Sequence, residues 1–234
     1  MQKLALGLVA VAGLATVATA RPDSNLSLQF STDDANWSND IAVAAGTSVF
    51  VRVVMSIPDQ YYGISGARYN VTSTNANGWD FGGDDSIDLS AGKGNATDGR
   101  LAGFDFGGQT QQVYEASNSL RIDAKGDNSN NPNAGISTSQ NTPGALGSNF
   151  NTNKVATVFK FKVNLGAGDN RQIVLAIDVP QITSFKAYET SSSTSGLALT
   201  GATGDTGTIT VAVPAPGALA LMGLGGLAAT RRRR

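Results

Sequence analysis

From Arg21 to Val213 no stretch of this chain carries apolar residues at the 3.6-residue spacing of a helix; they recur at every second position instead. Leu26, Leu28 and Phe30 alternate with Ser27, Gln29 and Ser31, and Val49, Val51, Val53 and Met55 alternate with Phe50, Arg52 and Val54. Phe159, Phe161, Val163 and Leu165 alternate with Lys160, Lys162 and Asn164. Ile173, Leu175, Ile177 and Val179 repeat the pattern before Pro180, as do Ile209, Val211 and Val213 in the run Thr208 to Val213. Successive side chains of a strand point to opposite faces, so each run predicts a strand with one buried face. Val49 to Met55 has bulk on both faces, which predicts a position inside a sheet. Short alternating strands joined by glycine turns predict an all-β fold, two antiparallel sheets packed as a β-sandwich.

The remaining segments are less regular. Asp33 to Asp40 predicts a turn, with Trp37 as a lid over one end of the core, and Tyr61 to Val71 predicts a strand that buries Ile64, Ala67, Tyr69 and Val71. Between Asn75 and Asn153 the chain is dense in Gly, Asn, Asp and Ser, with apolar islands at Trp79 to Phe81, Leu101 to Phe106, Gln112 to Tyr114 and Leu120 to Ile122. Trp79-Asp80-Phe81-Gly82-Gly83 and Phe104-Asp105-Phe106-Gly107-Gly108 echo each other and predict similar strand ends followed by glycine turns. Residues 125–153 contain only Ile136, Leu146 and Phe150 as large apolar residues and predict a mobile Gly/Asn/Ser-rich loop. Ile182 to Tyr188 and Leu197 to Leu199 predict weaker strands around a polar loop, Ser191 to Ser195.

The two ends are written differently. Lys3, an apolar run from Leu4 to Val17, and Ala18-Thr19-Ala20 follow the order of a secretory signal peptide, with cleavage expected before Arg21. At the other end Val213-Pro214-Ala215-Pro216 precedes an apolar block, Gly217 to Ala229, then Thr230 and Arg231, Arg232, Arg233 and Arg234. Pro216 suits the first turn of a helix, where its missing N–H costs nothing. A helix over that block would rise about 20 Å, short of the ~30 Å hydrocarbon core, which predicts a transient anchor rather than a lasting span. The arginines would stay on the cytoplasmic side and leave the rest of the chain outside.

Pro-x-Pro, a short apolar helix and a basic terminus together resemble the PEP-CTERM sorting signal, over about 22 residues. The resemblance implies processing by an exosortase-type enzyme in a bacterium that makes extracellular polysaccharide. The family's Glu between the prolines is Ala215 here. The expected organisation is a signal peptide at 1–20, a sandwich domain at 21–212 and a sorting tail at 213–234, with signal peptidase and the exosortase-type enzyme as partners. A second resemblance lies in the middle. Gly46-Thr47 before Val49 to Met55, then Lys154 to Leu165, Gly166-Ala167-Gly168, Ile173 to Val179 and a closing Gly207 to Val213 look like a cohesin-type β-sandwich, which implies jelly-roll topology.

Composition narrows the chemistry. The chain has no His and no Cys, which excludes disulfides, thiolate nucleophiles, Ser-His-Asp triads and His/Cys metal sites. Setting aside Lys3 and the four terminal arginines leaves 12 of 17 basic residues against 18 acidic ones, about −6, which argues against nucleic acid as a partner. Asp84, Asp85 and Asp88 are the nearest thing to a paired-acid site for glycoside hydrolysis, and in a Gly/Ser context they fit turn hydrogen bonding better. The same three, or Asp127, Asn128, Ser129 and Asn131, offer oxygen ligands for calcium, without EF-hand spacing; no cofactor is otherwise expected.

Trp37, Tyr61, Tyr62, Trp79 and Tyr114 are candidate stacking platforms for extracellular polysaccharide, with Trp37, Trp79 and Tyr114 foremost. N-x-S/T triplets begin at Asn25, Asn36, Asn70 and Asn95 and are at the frequency an Asn/Ser-rich chain produces. The expectation is an exported, non-enzymatic cell-surface or matrix protein, briefly membrane-anchored. The alternative is a carbohydrate-binding or adhesion module, with a hydrolase ranking third.

Overall fold

The computed structural model describes residues 24–80, 85–91, 98–106, 111–116, 119–124, 135–144, 152–167, 170–179 and 185–213. Its strands are β1 (Asn25–Ser31), β2 (Asp40–Ala44), β3 (Ser48–Ser56), β4 (Gly63–Thr74), β5 (Ser86–Asp88), β6 (Gln111–Ala116) and β7 (Ser119–Ala124). They continue with β8 (Ile136–Ser139), β9 (Val155–Asn164), β10 (Arg171–Asp178), β11 (Phe185–Tyr188), β12 (Leu197–Ala198), β13 (Thr203–Gly204) and β14 (Thr206–Ala212). Two short 3₁₀ turns, Asn75–Asn77 and Leu89–Ala91, are the helical elements among the described residues. The fold is all-β.

One sheet runs β13-β1-β3-β9-β5, so β3 and β9 lie inside it, as the bulk on both faces of Val49 to Met55 requires. The second sheet runs β12-β11-β4-β10-β14-β2, with β7 and β8 also paired to β4 and β6 paired to β7. The length of β4 explains the branching. Its first half pairs with β11 and β8, and its second half with β10 and β7. Most pairs are antiparallel; β1 with β13 and β14 with β2 are parallel.

The inner faces meet in one core. Leu26, Leu28, Phe30, Val49, Val51, Val53 and Met55 come from the first sheet, and Ile64, Tyr69, Val71, Ile173, Leu175, Ile209 and Val211 from the second. Burying side chains of this size contributes roughly 1.5–3 kcal/mol each before entropy is counted. A bulge where Val53 and Val54 face β9 turns both Val158 and Phe159 inward. Tyr69 is wholly buried beside Thr138, and desolvation pushes its hydroxyl's pKa up.

Several sequence expectations change. The stretch 125–153 is not one loop: β8 lies within it, buries Ile136 and Thr138, and pairs with β4. Gly135 allows this docking, because at its φ of 135° any Cβ would press on the Tyr69 backbone. The echoed islands are not strand ends. Trp79 follows a 3₁₀ turn and Gly78, whose φ is 81°, while Phe104 sits in a turn joined to Ser139. Both aromatics are buried, whereas Phe106 is exposed; Phe81, Gly82, Gly83, Gly107 and Gly108 lie outside the described residues. Strand β2, which pairs with β14, occupies a segment to which the sequence pattern assigns no element. Val213 lies past the end of β14 and is exposed, so it does not share the buried face of Ile209 and Val211.

Candidate functional site

Asp33 builds the turn that follows β1. Its Oδ1 accepts the N–H groups of Ala35 and Asn36 at 2.9 and 2.8 Å and the Ser31 hydroxyl at 2.8 Å. Its Oδ2 accepts the Asn36 side-chain amide at 2.7 Å. These donors, the Asn36 N–H foremost, hold the Asp33 carboxyl far below the usual carboxylate range. Asp34 then takes a φ of 59°, in the left-handed region that Asp tolerates better than most residues.

The turn decides where Trp37 goes. Phe30 and Ser38 exchange backbone hydrogen bonds at 2.7 and 3.0 Å. Phe30 points into the core, so Trp37, one residue before Ser38, falls on the outer side of the sheet with Gln29. Trp37 is therefore half-buried on the outer face rather than a lid over the core.

Register assembles the rest of that face. Gln29, Arg52 and Lys160 are neighbours across β1, β3 and β9, and Phe50, Lys162 and Asp88 across β3, β9 and β5. The Arg52 guanidinium lies 4.3 Å from the Trp37 ring centroid, and its Nε donates to Gln29 Oε1 at 2.8 Å. Partial burial draws the Arg52 pKa down, opposed by Asp34. The Lys162 and Lys160 ammonium groups sit 4.8 and 5.9 Å from the Phe50 centroid. Lys160 also donates to both Asp34 oxygens, at 3.2 and 2.9 Å. Beyond Phe50, Ser48 donates to Asn164 and Asn164 to Ser86 at 2.8 and 3.3 Å. The result is a face with two aromatic rings, Trp37 attended by Arg52 and Phe50 by Lys160 and Lys162, edged by hydroxyl and amide groups and by Asp34 and Asp88.

The candidate acids are placed elsewhere and used differently. Asp85 is buried, pairs with the Arg171 guanidinium, and accepts the N–H groups of Gly166 and Asp80 at 2.8 and 3.2 Å. Asp88 accepts the Ser90 N–H at 2.8 Å; bonds from the Ser90 hydroxyl and N–H, helped by Lys162, lower its pKa. These are structural and turn bonds, not a facing acid pair. Asp84 and the 127–131 group lie outside the described residues. Among the described residues no group of three or more His, Cys, Asp or Glu is placed to hold a metal ion.

The aromatic platform does not assemble as the sequence suggests. Trp79 is 2% exposed and belongs to the core, which removes it as a stacking surface. Tyr114 lies on β6 in the other sheet, its hydroxyl on the Ala124 carbonyl at 3.1 Å and Arg121 at 5.6 Å from its ring. Tyr61 and Tyr62 follow the far end of β3, where the Lys154 ammonium donates to both their carbonyls. Of the five, only Trp37 stands on the face just described. Arg52, Phe50, Lys160 and Lys162 were legible as outward-facing, but the register that brings them together was not.

Of the triplets, Asn25 and Asn70 are buried in strands, Asn36 is exposed in the turn, and Asn95 lies outside the described residues. Val213 donates its N–H to Asn170 Oδ1 at 2.6 Å. Ala18, Ala20, Arg21, Pro214, Ala215, Pro216 and Arg231 to Arg234 lie outside the described residues, as does the expected apolar helix. Among the described residues no helix is long and apolar enough to cross a membrane.

No protein-family model matches the chain, and no curated protein matches it in sequence. Among solved structures the chain is distantly similar to cohesin modules. The seventh ScaB type I cohesin from Pseudobacteroides cellulosolvens superposes with a TM-score of 0.40 at 10% identity, over 83% of this chain and 95% of that one. CaCohA2 from Clostridium acetobutylicum gives 0.40 at 11%, over 83% and 94%. The sixth cohesin of Acetivibrio cellulolyticus scaffoldin B, solved with a Cel5 dockerin, gives 0.41 at 12%, over 82% and 99%.

Proposed function

We propose that this chain is an exported, non-enzymatic protein of the cell surface or extracellular matrix, sorted by a PEP-CTERM-like tail and processed by an exosortase-type enzyme. The observation that carries the non-enzymatic part is the use made of Asp85. The buried member of the candidate acid cluster is occupied by Arg171 and two backbone N–H groups, in a chain that has no His or Cys to take its place. The export part is supported by the two terminal signals, which flank strands running from Asn25 to Ala212. Expression in a bacterium with an exosortase system, followed by intact-mass measurement of the exported product, tests it. The expected product begins at Arg21 and lacks Arg231 to Arg234; an exported product that keeps those arginines overturns the processing step.

A second reading, a module that binds matrix polysaccharide, is favoured by Trp37 standing half-buried on the outer sheet face among polar side chains. Binding on a glycan array that drops with Trp37→Ala supports it, and binding indifferent to that change counts against stacking on this ring.

A further inference from the structure

We infer that the outer face of the β13-β1-β3-β9-β5 sheet binds an acidic, carboxylate-bearing polysaccharide through Arg52, Lys160 and Lys162, with Trp37 and Phe50 as the ring surfaces. The inference deepens the matrix-binding reading and rests on it, while standing apart from the sorting tail.

Charge placement is the first argument. The segment from Arg21 to Val213 carries about −6, so its net charge repels a polyanion. Several other cations are already committed. Arg100 pairs with Asp98 at 2.6 Å, Arg171 with Asp85 and Arg121 with Asp123 at 3.0 Å, and Lys154 holds two carbonyls. Arg52, Lys160 and Lys162 occupy adjoining register positions on one outward face, Arg52 bonded there to neutral Gln29 and Lys160 to Asp34.

Three acids border this row and keep their charge. Asp33 stays in its turn, held by four local donors, and Asp88 lies at the sheet edge across from Lys162, accepting from Ser90. The Lys160–Asp34 pair lies near the surface, its side chains 19% and 38% exposed, and opens when a ligand carboxylate takes the place of Asp34.

Surface chemistry favours a glycan over a protein. The face offers two aromatic rings, Trp37 with Arg52 over one side and Phe50 with Lys160 and Lys162 over it, and a hydroxyl–amide row through Ser48, Asn164 and Ser86. Val54 is its half-buried aliphatic contribution, whereas the centre of a protein interface is usually packed with apolar groups. Flat rings beside cations suit a sugar ring that bears a carboxylate.

Affinity electrophoresis of the full-length protein in polygalacturonate, in neutral dextran and in poly-glutamate tests the inference. Retardation by polygalacturonate is expected, falling at least tenfold from 50 mM to 500 mM salt as screening sets in. Arg52→Gln/Lys160→Gln/Lys162→Gln should weaken it at least tenfold, and Lys162→Gln alone about threefold, with unchanged thermal melts; Lys186→Gln on the other sheet should leave it as it is. Retardation that survives the triple substitution, or that is equal in dextran, overturns the acidic-ligand inference while leaving polysaccharide binding standing. Retardation by poly-glutamate but not by polygalacturonate overturns it in favour of an acidic protein. No retardation by either polysaccharide overturns both readings.

Discussion

The Arg171 guanidinium closes over the buried carboxylate of Asp85, whose oxygens also accept the N–H groups of Asp80 and Gly166. One side chain thus joins the start of β10, the turn after β9 and the segment leading into β5. Removing one partner of a buried ion pair leaves the other charge uncompensated, which typically costs about 3–5 kcal/mol. Asp85→Ala is therefore expected to lower unfolding free energy by about that much in urea titrations. Because the residues share one network, Asp85→Ala/Arg171→Met should cost less than the two single changes added together.

The two tryptophans should behave as opposites. Trp79 is a core residue, so Trp79→Ala is expected to cost about 3–5 kcal/mol, while Trp37→Ala on the outer face should cost about 1 kcal/mol or less. With only two tryptophans in the chain, single-Trp variants separate them by fluorescence. Trp37→Phe should leave a blue-shifted emission shielded from acrylamide, and Trp79→Phe a redder, quenchable one. Similar quenching in both variants would contradict the burial described for Trp79.

What the sequence made legible was local, and what it concealed was pairing. Leu26, Leu28 and Phe30, or Ile173, Leu175 and Ile177, declare their buried face by alternation alone, since the pleat fixes which side each residue takes. Alternation cannot say which strand lies alongside, so it could not show that Arg52 meets Lys160 or that Phe50 meets Lys162. Strand β8 was hidden because Ile136 and Thr138 are too few to form a pattern, and the edge of β4 supplies their partner. Trp37 and Trp79 were indistinguishable in composition. A turn centred on Asp33 sent one outward, and Gly78 let the other turn in.

Acid should destabilise the protein through its turns. Asp33 and Asp88 both have folded-state pKa values depressed by hydrogen bonds, below the ~3.9 of an unfolded Asp. A depressed pKa contributes stability that is fully present above the unfolded value and lost as pH falls through the folded one. The melting temperature should therefore hold a plateau between about pH 5 and 8, where no histidine exists to titrate, and fall below about pH 4. Asp33→Asn/Asp88→Asn should start lower on the plateau and fall less steeply below it, as melts from pH 7 to pH 2 would show.

The segment expected to be a loop offers the sharpest test of the fold. Ile136 is fully buried opposite Tyr69, and β8 adds its backbone to β4 through four register pairs, from Gly66–Ser139 to Tyr69–Ile136. If that docking holds in solution, Ile136→Ala removes core contacts and should cost about 2–5 kcal/mol. A residue in a solvated loop would instead stay within about 0.5 kcal/mol, the behaviour expected of Thr194→Ala in the exposed turn after β11. Gly135→Ala should also destabilise, because its φ is 135° and the methyl group of an alanine would sit 2.9 Å from the Tyr69 carbonyl oxygen, which leaves a side chain no room. Hydrogen exchange separates the two accounts independently: the Ser139 and Gln140 amides, bonded to Phe104 and Ser65 carbonyls at 3.0 and 2.8 Å, should exchange far more slowly than those of Ser191 and Ser192.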